Sequence, residues 1–330
     1  MTLILETTFE KYVLNKVLGK GLTCECYIGN KLSSDNSESF AIKIFDKKYH
    51  KYYLNEVNIL SKLSNNTNII KLYSHGEGNI SSNASEGEIL KKKIYFEIME
   101  YAENGELKDY ISNKKTRIPE KISSKIFYRM VSVIKYLHEN NITHCDIKPE
   151  NILMCKNFVP KLNDFGFSHI FEHKNGEKDW TLFHFAGSVI YSGPEIRKAY
   201  TKGYDAVKND IYSLGMLIFV ITIGDFPFQK ASFSDEKYKF IIKKNYDRFW
   251  ECFNDIEISD EFKDLINKLI CFTPNQRLDM DKILEHPWVK KYNNEIHDNN
   301  NYNKNQETLN EFENDIFDKD IFDEFKKRKV

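Results

Sequence analysis

The eight residues His144–Asn151, with the sequence HCDIKPEN, are the most informative stretch of this chain. They place Asp146, Lys148 and Asn151 on one short segment, at spacings of two and three residues. Thirteen residues after that Asn comes Asp164–Gly166, with the sequence DFG. Together the two segments supply a proton acceptor, a cation that would hold phosphate, and two oxygen ligands for a metal ion. This combination suits the transfer of a phosphoryl group from a magnesium nucleotide to a hydroxyl group.

The chain resembles the eukaryotic-type Ser/Thr protein kinases, and within them the calcium/calmodulin-dependent-kinase-like group, because several motifs of that family occur here in the expected order. His286–Trp288, the sequence HPW, closes the matching region as in that group. The resemblance implies an α+β fold with two lobes and a ligand cleft between them. The predicted segments are an N-terminal extension (1–8), a kinase domain with a β-rich N-lobe (9–99) and an α-rich C-lobe (103–288), and an Asn-rich linker with an amphipathic C-terminal helix (289–330).

Local sequence patterns indicate the same two parts. Up to Ile44 the chain alternates β-favouring runs with Gly, Asn and Ser clusters, and apolar residues then recur every three positions from Leu54 to Leu63, as in a helix. The polar stretch 78–88, GNISSNASEGE, predicts a loop. Further strands are predicted at Ile69–Tyr73 and Ile94–Met99, and helices at Leu107–Ser112, Glu120–His138, Asn209–Ile223, Asp235–Asn245 and Asp260–Ile270.

The segment Gly19–Cys24, GKGLTC, lies between two strand-like runs. Glycines let backbone N–H groups approach phosphates closely. By itself a G-x-G pattern is more often a plain turn than a phosphate-binding loop. The residues that follow it here favour a β-strand, so the segment is predicted to be the tip of a hairpin. The resemblance assigns Gly19, Lys20, Gly21 and Cys24 to the ATP phosphates. Cys24 replaces the third glycine of the family, and whether its thiol reacts with electrophiles is left open.

Lys43, in the run Ala41–Lys43, resembles the strand lysine that holds the α and β phosphates of ATP. Taken singly it reads as an exposed strand lysine. The resemblance makes Glu56, on the periodic helix, its ion-pair partner. The interval between the two residues is shorter than in most members of the family, which affects where the helix begins.

The segment Met99–Ala102, MEYA, resembles the hinge that binds adenine. In the family the backbone groups at Glu100 and Ala102 bond the base, and Met99 is the gatekeeper behind it. Glu106 matches the residue that meets the ribose, although a surface glutamate is nearly as common a reading. The residues that match the adenine sandwich are Cys26, Ala41 and Leu153.

The resemblance also assigns the chemical step. Asp146 would accept the proton of the attacking hydroxyl, Lys148 would neutralise the migrating phosphate, and Ser188 would bridge these two. Asn151 and Asp164 would bind Mg2+, with Mn2+ as an alternative, because such hard cations prefer oxygen ligands. The implied cofactors are therefore ATP and Mg2+. Singly, each of these aspartates reads as a helix cap or turn former.

The resemblance further identifies supporting residues. Gly187–Glu195, GSVIYSGPE, resembles the loop that docks a protein substrate. Glu195 is expected to pair with Arg277, and Asp210 is expected to anchor the backbone of the catalytic loop. The expected partners are protein substrates with Ser or Thr acceptors. The main alternative is a pseudokinase, with the same fold acting as a nucleotide-binding scaffold, and a more distant one is a small-molecule kinase.

Two departures from the family concern activation. Cys145 stands where an Arg usually precedes the catalytic Asp, so the chain reads as a non-RD kinase, and a thiol cannot pair with a phosphate. His184 occupies the primary phosphosite position of the activation segment, while Thr181 remains as a secondary site. We therefore predict that activity does not require activation-loop phosphorylation.

Composition excludes several other classes. The net charge of −1 gives no basic footprint for nucleic acid, and the six cysteines form no CxxC or zinc spacing. No apolar run nears the roughly 18–20 residues of a membrane span, and Leu214–Ile223 reads as a buried helix. The N-terminus lacks the pattern of a signal peptide, so a cytoplasmic location is expected, with the nucleus left open.

The C-terminal segment Glu307–Phe325 repeats apolar residues at helical spacing and holds eight acidic residues and one Lys. Calmodulin targets are basic, so calmodulin binding is disfavoured. The alternatives are a helix that docks on its own kinase domain, a helix that docks on a partner, and a solvated tail.

Overall fold

A computed structural model describes residues 3–33, 38–83, 89–111, 117–172 and 178–293 of the chain. The chain divides into two compact units. The first comprises the residues up to Glu103 together with Asn163–Gly166, and the second comprises Asn104–Leu162 and the residues from Phe167 onward. The first unit is mainly strand and the second mainly helix, so the predicted α+β class is confirmed.

Six antiparallel strands of the first unit close into a barrel in the order β1-β2-β3-β4-β6-β5. Closure leaves no unpaired strand edge. The helix α1 (His50–Lys62) follows β4 after one short 3-10 turn, Lys47–Tyr49. The strands are β1 (Leu3–Glu6), β2 (Lys11–Lys20), β3 (Cys24–Lys31), β4 (Ser39–Phe45), β5 (Leu72–Asn83) and β6 (Ile89–Glu100).

Alternation along the strands divides the barrel residues between two faces, because successive strand side chains point to opposite sides. On β4, Phe40, Ile42 and Ile44 belong to the apolar core, which Phe96 and Ile98 of β6 complete. The intervening positions of both strands face the other way, and they include three of the residues predicted to bind ATP, Ala41, Lys43 and Met99.

The predicted loop at 78–88 is wrong in its first part. Strand β5 continues to Asn83 and β6 begins at Ile89, so only 84–88 lie outside the described residues. The polar residues form a strand because β5 is paired on both sides: Asn79 lies opposite Lys93 on β6 and opposite Glu6 on β1. Backbone pairing of this kind does not depend on side-chain polarity, and no local pattern predicted β1.

The helix predicted from the periodicity at Leu54–Leu63 is confirmed as α1, and the periodic positions Val57 and Leu60 are buried, whereas Leu54 is not. Leu54 is 49% exposed. Tyr53 is buried instead, with its ring stacked 4.9 Å from that of Tyr95. Because α1 begins only one short turn after β4, the interval from Lys43 to Glu56 is short.

The longest apolar helix of the second unit is α4 (Ala206–Ile223). Asp205 caps its first turn by accepting the Lys208 N–H at 3.0 Å, and Gly224 ends it with a φ of 77°. Among the described residues α4 is the one helix long and apolar enough to cross a membrane, and 89% of that window is buried inside the protein. The prediction of a buried helix at Leu214–Ile223 is therefore confirmed.

The remaining helices are α2 (Glu120–Glu139), α3 (Ala199–Lys202), α5 (Glu236–Ile242), α6 (Tyr246–Glu251), α7 (Asp260–Leu269), α8 (Met280–Leu284) and α9 (Pro287–Lys291). Of these, α2 and α7 pack against α4, and α8 and α9 pack against α2. Trp288 is fully buried, and its Nε1 donates to Glu120 Oε2 at 2.7 Å. The helix α6, with buried Phe249 and Trp250, was not predicted, because two short turns carry little periodicity. The segment predicted as helix at Leu107–Ser112 forms a 3-10 turn, Leu107–Tyr110.

Three two-stranded sheets hold the loops of the second unit. They pair β8 (Ile152–Met154) with β9 (Pro160–Leu162), β10 (His169–Ile170) with β7 (Ile142–Thr143), and β11 (Thr181–Leu182) with β12 (Tyr204–Asp205). The predicted C-terminal helix at Glu307–Phe325 and nearly all of its linker lie outside the described residues, which end at 293.

Candidate active site

Four of the predicted ATP residues lie on one face of the barrel, here called the nucleotide face. Strand register places Cys26 opposite Lys43, and Lys43 opposite Glu97. The adjacent row places Ala41 opposite Met99. In-register residues of antiparallel strands share a face. The nucleotide face is therefore defined by Cys26, Ala41, Lys43, Glu97 and Met99.

A buried ion pair lies on this face. Lys43 Nζ is 2.5 Å from Glu56 Oε1 and 3.8 Å from Asp164 Oδ1, and the side chains of Lys43 and Glu56 are 8% and 3% exposed. Burial alone would lower the pKa of Lys43, but the neighbouring carboxylates of Glu56 and then Asp164 outweigh burial and raise that pKa well above its usual value. The pairing predicted for Lys43 and Glu56 is thus observed, and Lys43 is a fixed cation.

Asp164 presents its carboxylate to solvent. Its side chain is 41% exposed, although it lies beside the buried lysine. Its backbone has a φ of 63°, a strained value for a residue with a side chain, and its Oδ1 accepts the Gly166 N–H at 3.4 Å. The next residue, Phe165, is fully buried and fixes the segment. An accessible carboxylate on a fixed turn is a suitable ligand atom for Mg2+.

The glycine segment is a hairpin tip, as predicted, but shorter than expected. Gly19 and Lys20 already belong to β2, and the turn is closed by a hydrogen bond from the Gly21 N–H to the Cys24 carbonyl at 2.9 Å. Burial raises the pKa of Cys24 to about 11 and that of Cys26 to about 12. Both side chains are therefore thiols near neutral pH, not reactive thiolates.

The hinge residues lie at the end of β6. Met99 is 2% exposed, and the Glu100 N–H donates to the Lys71 carbonyl at 2.9 Å, which fixes the backbone there. Ala102 is also buried. The structure thus brings Met99, Glu100 and Ala102 together with Ala41 and Lys43 in one unit.

Glu106 and Leu153, also predicted to contact the nucleotide, belong to the second unit, where a single antiparallel bridge joins them. The backbone N–H of Glu106 donates to Asp109 Oδ2 at 3.2 Å, at the start of the 3-10 turn. Burial, and then the charge of Asp109, raises the pKa of Glu106. Glu106 therefore starts a turn, and the structure leaves its predicted contact with ribose untested.

The catalytic loop of the second unit is held by Asp210, as predicted. The two oxygens of this carboxylate accept the N–H groups of His144 at 3.0 Å and Cys145 at 2.9 Å, and His138 Nε2 lies 2.9 Å from Oδ2. Cys145 has a φ of 65°, in the left-handed region. The buried carboxylate thus fixes a strained turn directly before Asp146.

Three other predicted site residues, Lys148, Asn151 and Ser188, lie beside Asp146. Its Oδ2 accepts Lys148 Nζ at 2.7 Å and Asn151 Nδ2 at 3.0 Å, and the same lysine donates to Ser188 Oγ at 2.9 Å. Lys148, and not Ser188 as predicted, therefore bridges the other two residues, because it donates to both Asp146 and Ser188. Asp146 Oδ1 is buried and has no hydrogen-bond partner within the part of the chain that the structure describes.

Gly187 brings the substrate-loop segment against the catalytic loop. Its φ is 88°, and a Cβ at this position would lie 2.0 Å from the Cys145 carbonyl oxygen and 3.2 Å from Asp146 Oδ1. Only glycine tolerates this approach. Farther along the loop, the predicted pair is observed: Arg277 donates two hydrogen bonds to Glu195, at 2.5 and 2.8 Å.

The proposed metal ligands have suitable chemistry. The Asn151 amide group donates to the Asp146 main chain at 2.7 Å as well as to its carboxylate, which leaves Asn151 Oδ1 as the ligand atom. Within the described ranges no group of three or more His, Cys, Asp or Glu side chains would hold a metal alone. Mg2+ commonly binds through one or two carboxylates plus substrate phosphates, so the donors present fit Mg2+.

Residues 12–289 match the family model described as protein kinase domain. The chain belongs to the protein kinase family. It is 31% identical over 281 residues to CBL-interacting serine/threonine-protein kinase 20 of Arabidopsis thaliana, covering 85% of this chain and 59% of the relative. It is 32% identical over 282 residues to CBL-interacting protein kinase 26 of Oryza sativa subsp. japonica, covering 86% and 52%. The chain thus matches between half and three-fifths of these relatives' length.

One residue of the nucleotide face was not identified from the sequence. Glu97 lies two positions before Met99, hence on the same side of β6, and is fully buried. The available signal was a charged residue in the middle of an otherwise apolar strand, IYFEIM. Its neighbours across the sheet could not be known without the strand register.

Proposed function

We propose that this chain is a protein kinase that transfers the γ-phosphoryl group of ATP to Ser and Thr hydroxyls of protein substrates. The observation that carries the proposal is the state of Asp146. One of its oxygens is tied to Lys148 and Asn151, and the other is buried without a partner among the described residues. An oriented acceptor of this kind suits the proton of an attacking hydroxyl.

The remaining residues position phosphate. Lys43, a buried cation held by Glu56, would bind the α and β phosphates. Lys148 would neutralise charge on the migrating phosphoryl group, where electrostatic stabilisation is usually the largest contribution. Asp164 and Asn151 would each offer an oxygen ligand to Mg2+, and the ion would supply positive charge that neutralises phosphate.

Two features support protein Ser/Thr substrates and a place in the calcium/calmodulin-dependent-kinase-like group. The loop Gly187–Glu195 is fixed at both ends, by the approach of Gly187 to the Cys145 carbonyl and by the Glu195–Arg277 pair. The HPW sequence at His286–Trp288 and the similarity to plant Ser/Thr kinases agree with this group.

A pseudokinase is the competing proposal, and a transfer assay separates the two. The wild-type protein should move 32P from [γ-32P]ATP to Ser and Thr residues of a mixed protein substrate in Mg2+, as phosphoamino-acid analysis would show. Lys43→Met should abolish transfer, because it removes the phosphate-binding cation. Lys92→Met, at an exposed lysine of β6, is the matched control and should keep transfer. ATP binding without transfer by the wild-type protein would favour the pseudokinase.

We further propose that activity needs no phosphate on the activation segment. The Cys145 thiol is buried, and burial raises its pKa well above its usual value, so it carries no charge for a phosphate. The thiol instead belongs to an apolar cluster formed with described residues of the segment. The members are Cys145, Phe171, Leu182, Ala186, Ile196, Ala199, Tyr204 and Ala206, with Trp180 and Phe185 packed against them.

Backbone and ring contacts extend this anchoring. The Ala206 N–H donates to the Trp180 carbonyl at 3.0 Å, and the Trp180 ring lies 5.1 Å from that of Phe171. His184, at the usual phosphosite, has its ring 6.1 Å from that of His169. The segment is thus fastened at several points by groups that exist without modification.

Dephosphorylation tests this second proposal. Bacterially expressed protein treated with phosphatase should keep its transfer rate, and Thr181→Ala should behave like the wild-type protein. A control kinase known to require activation-loop phosphate should lose its rate under the same treatment. A large loss on dephosphorylation of this protein, restored by rephosphorylation of Thr181, would reject the proposal.

A further inference from the structure

Glu97 has an environment that the proposed reaction does not account for. It lies in the middle of β6, in register with Lys43 of β4 on one side and with His75 of β5 on the other. Directly opposed residues have Cβ atoms about 4.5–5.5 Å apart. The Glu97 side chain therefore borders Lys43 on the nucleotide face.

The carboxyl group of Glu97 is fully buried, and among the described residues neither of its oxygens has a hydrogen-bond partner. Burial of a carboxyl group without a partner opposes folding. The two residues that flank it on the same face of β6 are the aromatic Tyr95 and the apolar Met99. An apolar residue at position 97 would therefore suit the fold better, which points to a functional reason for the glutamate.

The charges around Lys43 suggest that reason. Three carboxyl groups, those of Glu56, Glu97 and Asp164, influence this single ammonium group. Glu56 is the contact partner at 2.5 Å. Burial and then the charge of Glu56 raise the pKa of Glu97 well above its usual value. While Glu56 holds the lysine, Glu97 thus favours its neutral form.

The two carboxyl groups are carried by different elements. Glu56 belongs to α1, whereas Glu97 belongs to the strand hydrogen-bonded to β4, the strand of Lys43. Because Glu97 and Lys43 lie on paired strands of one sheet, Glu97 stays opposite the lysine whether or not Glu56 of α1 contacts it. Glu97 is therefore placed to act when Glu56 does not.

We propose that Glu97 is a second counter-ion of Lys43, a positioning residue that holds the ammonium group in place when Glu56 is not paired with it. The inference rests on the proposed role of Lys43 in holding the phosphates of ATP. In the absence of Glu56, the ionised Glu97 keeps the buried lysine charged and oriented. With both carboxyl groups removed, the lysine is a buried cation whose remaining carboxylate is Asp164, at 3.8 Å.

A double-mutant cycle tests the proposal. The full-length chain is prepared with Glu56→Gln, Glu97→Gln and both, and kcat/KM for ATP is measured for each. We expect Glu97→Gln to lower kcat/KM about tenfold more in the Glu56→Gln background than in the parent, which lies within the range found for contacting residues. Equal factors in the two backgrounds, within about twofold, would mean independent residues and overturn the proposal.

Two further variants exclude a merely structural effect. Glu97→Asp keeps a carboxyl group, so in the Glu56→Gln background it should retain more of kcat/KM than Glu97→Gln does. Glu97→Leu keeps packing and removes the carboxyl, so it should behave as Gln does. The same loss with Asp as with Gln would contradict a counter-ion role. Glu77→Gln, at an exposed glutamate of β5, is the matched control and should show no dependence on the background.

The variant Lys43→Met distinguishes a failure of the inference about Glu97 from a failure of the proposed function. If this variant loses transfer while the cycle is additive, the inference about Glu97 fails and the proposed function stands. If Lys43→Met transfers phosphate as well as the wild-type protein, the role of Lys43 in the proposed function fails first. Thermal melting of each variant confirms that the losses are measured on folded protein.

Discussion

The buried pair between Glu195 and Arg277 allows a quantitative prediction about stability. Arg277 is 3% exposed and donates to both oxygens of Glu195. The variant Glu195→Gln keeps the shape of the partner but removes its charge, which leaves a buried guanidinium group. Breaking a buried pair by removing one partner typically costs about 3–5 kcal/mol.

The structure places the expected cost at the lower end of that range. Arg277 also donates to the carbonyl oxygens of Lys208 at 2.8 Å and Cys271 at 3.2 Å, and lies 4.7 Å from the ring centre of Tyr212. These contacts survive the substitution. About 3 kcal/mol then corresponds to a fall in Tm of about 6–12 °C for a unit of this size.

Differential scanning calorimetry provides the measurement. The matched control is the surface pair of Arg248 and Glu251, 2.8 Å apart with side chains 65% and 58% exposed, where Glu251→Gln should cost less than about 1 kcal/mol. Replacing the buried pair together, as Glu195→Leu with Arg277→Met, should recover much of the stability, because no buried charge remains. Equal Tm shifts for Glu195→Gln and Glu251→Gln would refute this reasoning.

Three further predictions follow from the sites described above. Gly187→Ala should abolish phosphate transfer and lower Tm, because its Cβ would lie 2.0 Å from the Cys145 carbonyl oxygen; a wild-type transfer rate would contradict the close approach. The pKa of Glu97 in the folded protein is raised above its ordinary value near 4.5, so above that pH the chain takes up a proton when it folds. The free energy of unfolding therefore falls as the pH rises above 4.5. The Tm advantage of Glu97→Gln over the wild type should therefore be larger at pH 8 than at pH 5, and a pH-independent difference in thermal melts would argue against this environment. Glu150 lies in the segment HCDIKPEN, where it could attract a basic residue upstream of the phosphoacceptor. Because Lys108, at 3.2 Å, partly neutralises Glu150, Glu150→Gln should lower kcat/KM for peptides with an upstream Arg by about fivefold or less; a peptide array with a steep requirement for Arg at one position would contradict this.

The residues grouped around Asp146 were predictable because their motifs are short and local. Asp146, Lys148 and Asn151 lie within six residues, and one turn of backbone brings them together. Glu195 and Arg277 are far apart in sequence, but the family resemblance carried that pairing. The local spacing of residues and the family resemblance together therefore predicted most of the second unit's site.

What escaped prediction depends on strand pairing. The role proposed for Glu97 depends on its position opposite Lys43, and no local sequence pattern predicts the register of β4 and β6. The strand β1 pairs with the C-terminal part of β5, and because each depends on this pairing, neither could be predicted from its own sequence.

The most direct test of the central claim is the single-turnover rate of phosphate transfer at saturating ATP and Mg2+, measured for the wild-type protein and for Asp146→Asn. The account predicts that the variant binds ATP with similar affinity but loses the chemical step by about 10²–10⁴-fold, because the proton acceptor is removed. A variant that transfers phosphate at the wild-type rate would contradict the assignment of Asp146, and a wild-type protein without transfer would contradict the assignment of kinase activity.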